Sequence, residues 1–346
     1  MLRLLALLAV VLSIDLAAAG SARADDPPKL HKITMPVVGD GLHFFPLYVA
    51  SAGGFFAKEG LDVQWLSVNG GTRQAAAVMG GSAEITPLGL MHVIKSEAEG
   101  GSLVAFADSF DSYAMSVVVS NEAMQKAGLD PAMPIDEKVK RLSGLKLGIT
   151  SPGSSTDLLV RSLFLARGLD PDKALELQPF GTGPAMLAAF EKKISDGFVF
   201  AAPWPDLVVA KRLGKVVIDP FTNEIPELAN VPYIVMVTSR QTWEREPETI
   251  KAVTRALTAT YAFIHEHPKE TIEYIRPSFK NVDPEIFTKV AEKHLVGVPK
   301  SPVITREQVE RTTAWMNLGA SKKVTASFDD VVVSEPARDA LAMVKP

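Results

Sequence analysis

The run over residues 43–85, HFFPLYVASAGGFFAKEGLDVQWLSVNGGTRQAAAVMGGSAEI, constrains this chain most. It reads as helix, strand, glycine turn, helix, strand. Phe45, Leu47, Tyr48, Ala50 and the stretch from Phe55 to Ala57 supply apolar surface to a helical segment. Gly60 ends it, because glycine tolerates the left-handed C′ position. In LDVQWLSV, Leu61, Val63 and Trp65 alternate with Asp62 and Gln64, which is strand periodicity. Gly70-Gly71-Thr72 then turns the chain, and Thr72 is the expected N-cap of RQAAAVM. A strand, a glycine turn and a capped helix leave backbone N–H groups at the end of a sheet, which is where α/β proteins hold small ligands.

The same rhythm returns later. LKLGIT (145–150) is a strand, SPGSST a turn, 158–167 a helix closed by Gly168, 175–180 a strand, and Gly181-Thr182-Gly183 the turn into PAMLAAFEKK. Further strands are expected at 30–38, 103–109, MSVVVS, 196–203, VVID and 232–240. Residues 121–143, with Pro131 and Pro134, break the regular pattern. From Pro247 onward the chain reads as helical. Ile250, Val253, Leu257, Tyr261 and Ile264 recur at three- and four-residue steps and give one apolar face. Strands alternating with helices imply parallel sheets covered on both faces.

Residues 1–24 read as a secretory signal. Arg3 is the positive n-region, LLALLAVVLSI the apolar core, and Ala22-Arg23-Ala24 the site of cleavage after Ala24. The apolar run falls short of the ~20 residues that span a bilayer, which argues against a membrane anchor. The chain contains no cysteine, so disulfides, thiolate zinc sites, a cysteine nucleophile and a lipid anchor on cysteine are excluded. Export without a lipid anchor predicts the periplasm. A formal net charge of −4 offers no electrostatic footprint for nucleic acid or an anionic membrane.

GGFFAKEGLDVQW, the NGGT that follows and MGGSAEI together resemble the substrate-binding proteins of bacterial ABC importers for sulfonates, nitrate, taurine and thiamine-type pyrimidines. Glu84 stands where that family usually has Asp. The likeness continues through LSGLKLGITSPGSS, RGLDPDKALELQPF and PETIKAVTRALTATYAFIHEHP, covering roughly residues 30–275. It implies an α/β, two-lobe periplasmic binding protein type II fold, each lobe a mixed, mostly parallel sheet flanked by helices. It also implies two crossings between lobes, near MSVVVS and near PYIVMVTS. Residues 30–115 plus 235–346 would then form one lobe and 116–234 the other.

The candidate site is the set of turns at the C-terminal ends of the strands. These supply Asp40, His43, Phe44, Gly71, Thr72, Leu88, Gly89, Ser154, Ser155, Thr156, Thr182, Pro203 and Trp204. Any one Ser, Thr or Gly here reads as a helix cap, and it is their recurrence after successive strands that points to a ligand. N–H groups and hydroxyls at helix starts suit an anionic oxygen without a full positive charge. Trp204, between two prolines, suits either a flat ligand or packing at a hinge. Asp40 suits an ammonium or a turn, and Arg73 an anion or solvent. The six histidines show no metal spacing, and no H-E-x-x-H, G-x-S-x-G or P-loop occurs.

The resemblance implies a solute-binding protein without catalytic residues, metal or cofactor. It would capture a small organic ligand, such as a sulfonate, an aminosulfonate or a pyrimidine-like molecule, as a monomer and hand it to an inner-membrane ABC permease and its ATPase. The alternative is an enzyme on the same fold, such as a thiamine-pyrimidine synthase. The desulfinase relatives need a cysteine and the synthases a cysteine-rich iron motif, and both are missing.

Overall fold

The computed structural model describes residues 30–39, 41–318, 320 and 322–343. The signal over 1–24 and Asp40 lie outside these. Ten strands follow in order: β1 (His31–Val37), β2 (Leu61–Ser67), β3 (Ile85–Gly89), β4 (Leu103–Phe110), β5 (Ser116–Ser120), β6 (Lys146–Ile149), β7 (Glu176–Pro179), β8 (Gly197–Phe200), β9 (Gly214–Ile218) and β10 (Ile234–Ser239). The alternating and apolar stretches read from the sequence each overlap one of them, with β3 and β9 displaced by a few residues from the stretches expected.

The strands form two assemblies with the same plan. One is a five-stranded sheet in the order β7-β6-β8-β5-β9. The other joins the pair β1-β2 to the sheet β3-β10-β4, with β1 lying against β3, so its order is β2-β1-β3-β10-β4. In each, one strand is reversed. β5 is antiparallel to β8 and β9, and β10 is antiparallel to β3 and β4. The remaining ladders, β1–β2, β6–β7 and β6–β8, are parallel. The sheets are therefore mixed, and all of the antiparallel character comes from β5 and β10.

The seam between β1 and β3 carries no ladder, and the sequence gives a reason. Pro36 lies in β1 and Pro87 in β3. Proline has no N–H to donate, so neither residue can supply a ladder donor to this seam, although each keeps its register with the strand on its other side. Side chains close the seam instead. Gln74 Nε2 donates to Pro36 O at 3.0 Å, to Thr86 Oγ1 at 3.0 Å and to Pro87 O at 2.8 Å. Thr86 Oγ1 donates to Pro36 O at 2.7 Å, and Thr34 N donates to Glu84 Oε2 at 2.7 Å.

Helices cover both assemblies. The helix Pro247–Glu266 buries the face read from its periodicity: Ile250, Val253, Leu257, Tyr261 and Ile264 are all buried. Its Tyr261 hydroxyl donates to Asp108 O at 2.5 Å, fixing the helix to the end of β4. Truncating a buried leucine such as Leu257 to alanine costs about 2–5 kcal/mol.

Three local readings are corrected. Residues 121–143 are not irregular: they hold the helices Asn121–Ala127 and Ile135–Arg141. Ser120 caps the first, accepting from Ala123 N, and Pro134 stands just before the second, where its missing N–H costs nothing. The helical stretch over 45–58 is divided at Gly53-Gly54 into Phe45–Ala52 and Phe55–Lys58, with Gly54 at φ +70°. Thr72 is not a cap: the helix is Gly71–Met79, its N-cap is Gly70 at φ +90°, and the Thr72 hydroxyl donates elsewhere.

Candidate functional site

Four helix starts converge on one small cavity. Phe44 is the N-cap of Phe45–Ala52, Gly71 opens Gly71–Met79, Gly89 is the N-cap of Leu90–Ala98, and Ser154-Ser155 begins Ser155–Leu165. All five residues line the cavity, with His43, Leu88, Thr156, Val38, Gln74, Pro87, Met115, Thr150, Phe200, Tyr233 and Ile234. The open space measures about 30 Å³, enough for one or two waters. The first-turn N–H groups of these helices have no partner within their own helix and carry the positive end of its dipole.

Contacts between the two assemblies lie next to residues of the cavity lining. Leu42 N donates to Ala202 O at 2.8 Å, and the Thr72 hydroxyl donates to Pro152 O at 3.3 Å. Gly70 faces Ser151 so closely that a Cβ at 70 would lie 2.2 Å from Ser151 Oγ. Gly181, at φ +82°, faces Asn69 in the same way.

At the start of the helix Ser155–Leu165, three hydroxyls form a hydrogen-bonded chain. Ser154 Oγ accepts from Ser151 N and Asp157 N, both at 3.4 Å. It lies 2.9 Å from Thr156 Oγ1, which also accepts from Thr150 N at 2.9 Å and lies 3.1 Å from Thr150 Oγ1. Ser155 O accepts from the Tyr113 hydroxyl at 2.9 Å, which holds the helix start in place.

No lysine, arginine, aspartate or glutamate lines the cavity among the described residues. The nearby imidazoles are neutral at pH 7. Burial, then repulsion from His294, lowers the His43 pKa to about 3. Burial, then Lys95, lowers that of His92 to about 4. Burial pushes the Tyr233 hydroxyl well above its ordinary value. His92 reaches the back of the wall, with Nε2 3.5 Å from Ser155 Oγ. A Cβ on Gly71 would come within 2.8 Å of that nitrogen, so glycine at 71 makes room for the ring.

Eight of the residues expected from the sequence are brought together here: His43, Phe44, Gly71, Leu88, Gly89, Ser154, Ser155 and Thr156. Thr72, Thr182, Pro203 and Trp204 are not among the lining residues. Thr72 is at the rim. Thr182 is the N-cap of Gly183–Glu191 and faces Gly39. The Trp204 indole covers Gly183, where a Cβ would lie 2.3 Å from its Cδ1, so the ring packs on a helix start. Pro203 is the buried residue just before the helix Trp204–Ala210. Asp40 lies outside the described residues. Gln74 and Thr150 escaped the sequence reading. Gln74 follows Gly71 by three residues, the spacing that puts both on one helix face, and Thr150 ends its strand segment just before the SPGSS turn.

Comparison with known proteins places this geometry in a class. The chain superposes on a solved protein of Bordetella bronchiseptica RB50 with a TM-score of 0.81 at 23% identity, covering 90% of this chain and 97% of that one. It superposes on the alkanesulfonate-binding protein SsuA of Xanthomonas axonopodis pv. citri bound to MOPS with a TM-score of 0.66 at 15% identity, covering 90% and 99%. These likenesses establish a two-lobed periplasmic-binding-protein fold. Residues 27–275 match the family model described as NMT1-like, and the chain belongs to the NMT1-like family. Among curated relatives, the binding protein YtlA of Bacillus subtilis is 22% identical over 268 residues, covering 77% of this chain and 76% of that one. The nitrate/nitrite binding protein NrtA of Nostoc sp. is 25% identical over 233 residues, covering 61% of this chain. The match spans 49% of that relative's length. Both bear the names of binding proteins and not of enzymes.

Proposed function

We propose that this protein is an extracytoplasmic solute-binding protein that closes on a small organic oxyanion and delivers it to an ABC importer. The observation that carries this reading is the convergence of four helix starts and a run of hydroxyls on one small cavity with no charged side chain in its described lining. Such a site stabilises an anionic oxygen through N–H groups and helix dipoles. It suits a sulfonate or carboxylate, and nitrate or phosphate held by paired cations fits it less well. The binding proteins for nitrate and alkanesulfonate to which the chain is similar support the class of cargo.

In this reading residues 30–115 plus 235–346 form one lobe and 116–234 the other. β5 and β10 lie where the chain crosses between them. Residues 1–24 direct export to the periplasm and are removed after Ala24. The protein works as a monomer with an inner-membrane permease and its ATPase, and it performs no chemistry on its cargo.

A thermal-shift screen of the exported protein against sulfonates, aminosulfonates, aromatic carboxylates, pyrimidines and nitrate tests the proposal. A ligand present at ~100 times its Kd adds ~2.7 kcal/mol. A clear rise in Tm with one class is the expected result. A flat response across the panel, together with no small molecule found by mass spectrometry of the purified protein, would argue against a binding role.

A further inference from the structure

We infer that Gln74 and Thr150 give the cavity a donor–acceptor polarity, so that the ligand carries an N–H or O–H donor in addition to its oxyanion. This rests on the solute-binding reading above and narrows its ligand class.

The orientation of Gln74 follows from its surroundings. The side chain is 2% exposed, and one end of its amide lies within 3.0 Å of Pro36 O, Thr86 Oγ1 and Pro87 O. Two of these are carbonyl oxygens, which only accept, so the amide nitrogen must face them. The Thr86 hydroxyl already gives its proton to Pro36 O and can accept from Gln74. The amide is therefore locked, and its Oε1 points away from the seam. Gln74 lines the cavity, and Oε1 is not among the fully enclosed atoms that lack a partner. The geometry thus turns a hydrogen-bond acceptor toward the ligand space.

The opposite wall presents a donor. An sp³ hydroxyl oxygen has two lone pairs and one proton. Ser154 Oγ spends both pairs on Ser151 N and Asp157 N, so its proton goes to Thr156 Oγ1. Thr156 Oγ1 then accepts from Ser154 and from Thr150 N, so its own proton goes to Thr150 Oγ1. The chain ends at Thr150, whose O–H is left over at a cavity-lining position. It is aligned with the helix start at Ser154-Ser155, which also favours negative charge.

A ligand oxyanion belongs beside Thr150, and an ammonium, hydroxyl or amide N–H belongs beside Gln74. An oxyanion without a donor leaves Gln74 Oε1 buried and unpaired, or sets it against another oxygen. Sites with buried polar groups discriminate strongly against analogues that cannot pair them. The class is therefore an amino-, hydroxy- or amide-bearing sulfonate or carboxylate.

Titration calorimetry with two matched pairs tests this: 2-aminoethanesulfonate against ethanesulfonate, and 2-hydroxypropanoate against propanoate. In the wild-type protein the donor-bearing member of at least one pair should bind about tenfold or more tightly than its partner. Gln74→Met should bring the two members to within about twofold of each other. Thr150→Val should weaken both by similar factors and leave the preference intact. Equal or tighter binding of the donor-free members in the wild-type protein overturns the inference, whether or not the variants fold. So does a screen that identifies a ligand with no N–H or O–H donor. Failure to find any ligand counts against the solute-binding reading itself.

Discussion

The two strand assemblies share one plan, β2-β1-β3-β10-β4 and β7-β6-β8-β5-β9, but they close their central seams differently. In the second, β6 and β8 pair directly, Leu147 with Gly197 and Gly148 with Phe198. In the first, Pro36 and Pro87 lack the N–H groups a ladder would use, and Gln74, Thr86 and Glu84 bridge the gap. A backbone ladder uses up its polar groups. A side-chain bridge can seal a seam with one end and face a cavity with the other, as Gln74 does. The contrast suggests that the first assembly gives up regular pairing beside the cavity in exchange for a directed acceptor.

The buried histidines and the buried Asp206 respond to acid with opposite signs. All six histidines lie outside residues 116–234. Burial lowers the pKa of His43 to about 3 and those of His92 and His294 to about 4. These groups bind fewer protons when folded than when unfolded. Their contribution to stability is present above the unfolded value of about 6.5 and is lost as pH falls toward the folded values, by about 1.4 kcal/mol per proton and pH unit. Asp206, in the second region, has the opposite sign. Burial is the main cause that raises its pKa to about 6. Its contribution is largest below the ordinary carboxylate value and is lost as pH rises through about 6. Stability should therefore fall steeply between pH 6.5 and 4, the largest effect expected. His92→Gln should reduce that slope by about one proton. Asp206→Asn should leave it in place and remove only the decline expected toward neutral pH. Denaturant melts across pH check both, and a slope unchanged in His92→Gln would contradict the assignment.

The seam gives the next largest effect. Gln74→Leu takes the short donor from the buried Pro87 carbonyl, leaves Pro36 O with Thr86 alone, and should cost about 2–4 kcal/mol in chemical denaturation. Thr156→Val breaks the hydroxyl chain of the second region and should cost about 1–3 kcal/mol, because Thr150 N and Ser154 Oγ lose a partner. A smaller loss from Gln74→Leu than from Thr156→Val would mean that the side-chain bridge matters less than the proline argument requires. Glu84→Asp should have the smallest effect, about 1 kcal/mol, because the shorter side chain withdraws its carboxylate from Thr34 N.

Much of this architecture was legible in the sequence, because period-two strands, glycine turns and the 247–264 stripe are local signals. The misreadings also have local causes. Pro131 and Pro134 read as breakers, yet neither lies inside a helix. Thr72 looked like a cap because a glycine pair precedes it, and the left-handed Gly70 took that place. The site was legible as far as helix starts reveal it. Gln74 was not, because its role depends on two prolines far away in sequence. Trp204 could be read either way until the packing of Gly183 was known.

The central claim is that the two regions close on a solute, and a distance across the rim tests it most directly. The chain has no native cysteine, so spin labels at Arg73→Cys and Ala185→Cys, both exposed positions, report on a single pair of sites. Pulsed electron–electron resonance would compare the protein alone with the protein saturated by the strongest ligand from the screen. The account predicts a broad distribution that collapses to one short, narrow distance when ligand is bound. An identical distribution with and without saturating ligand would contradict it.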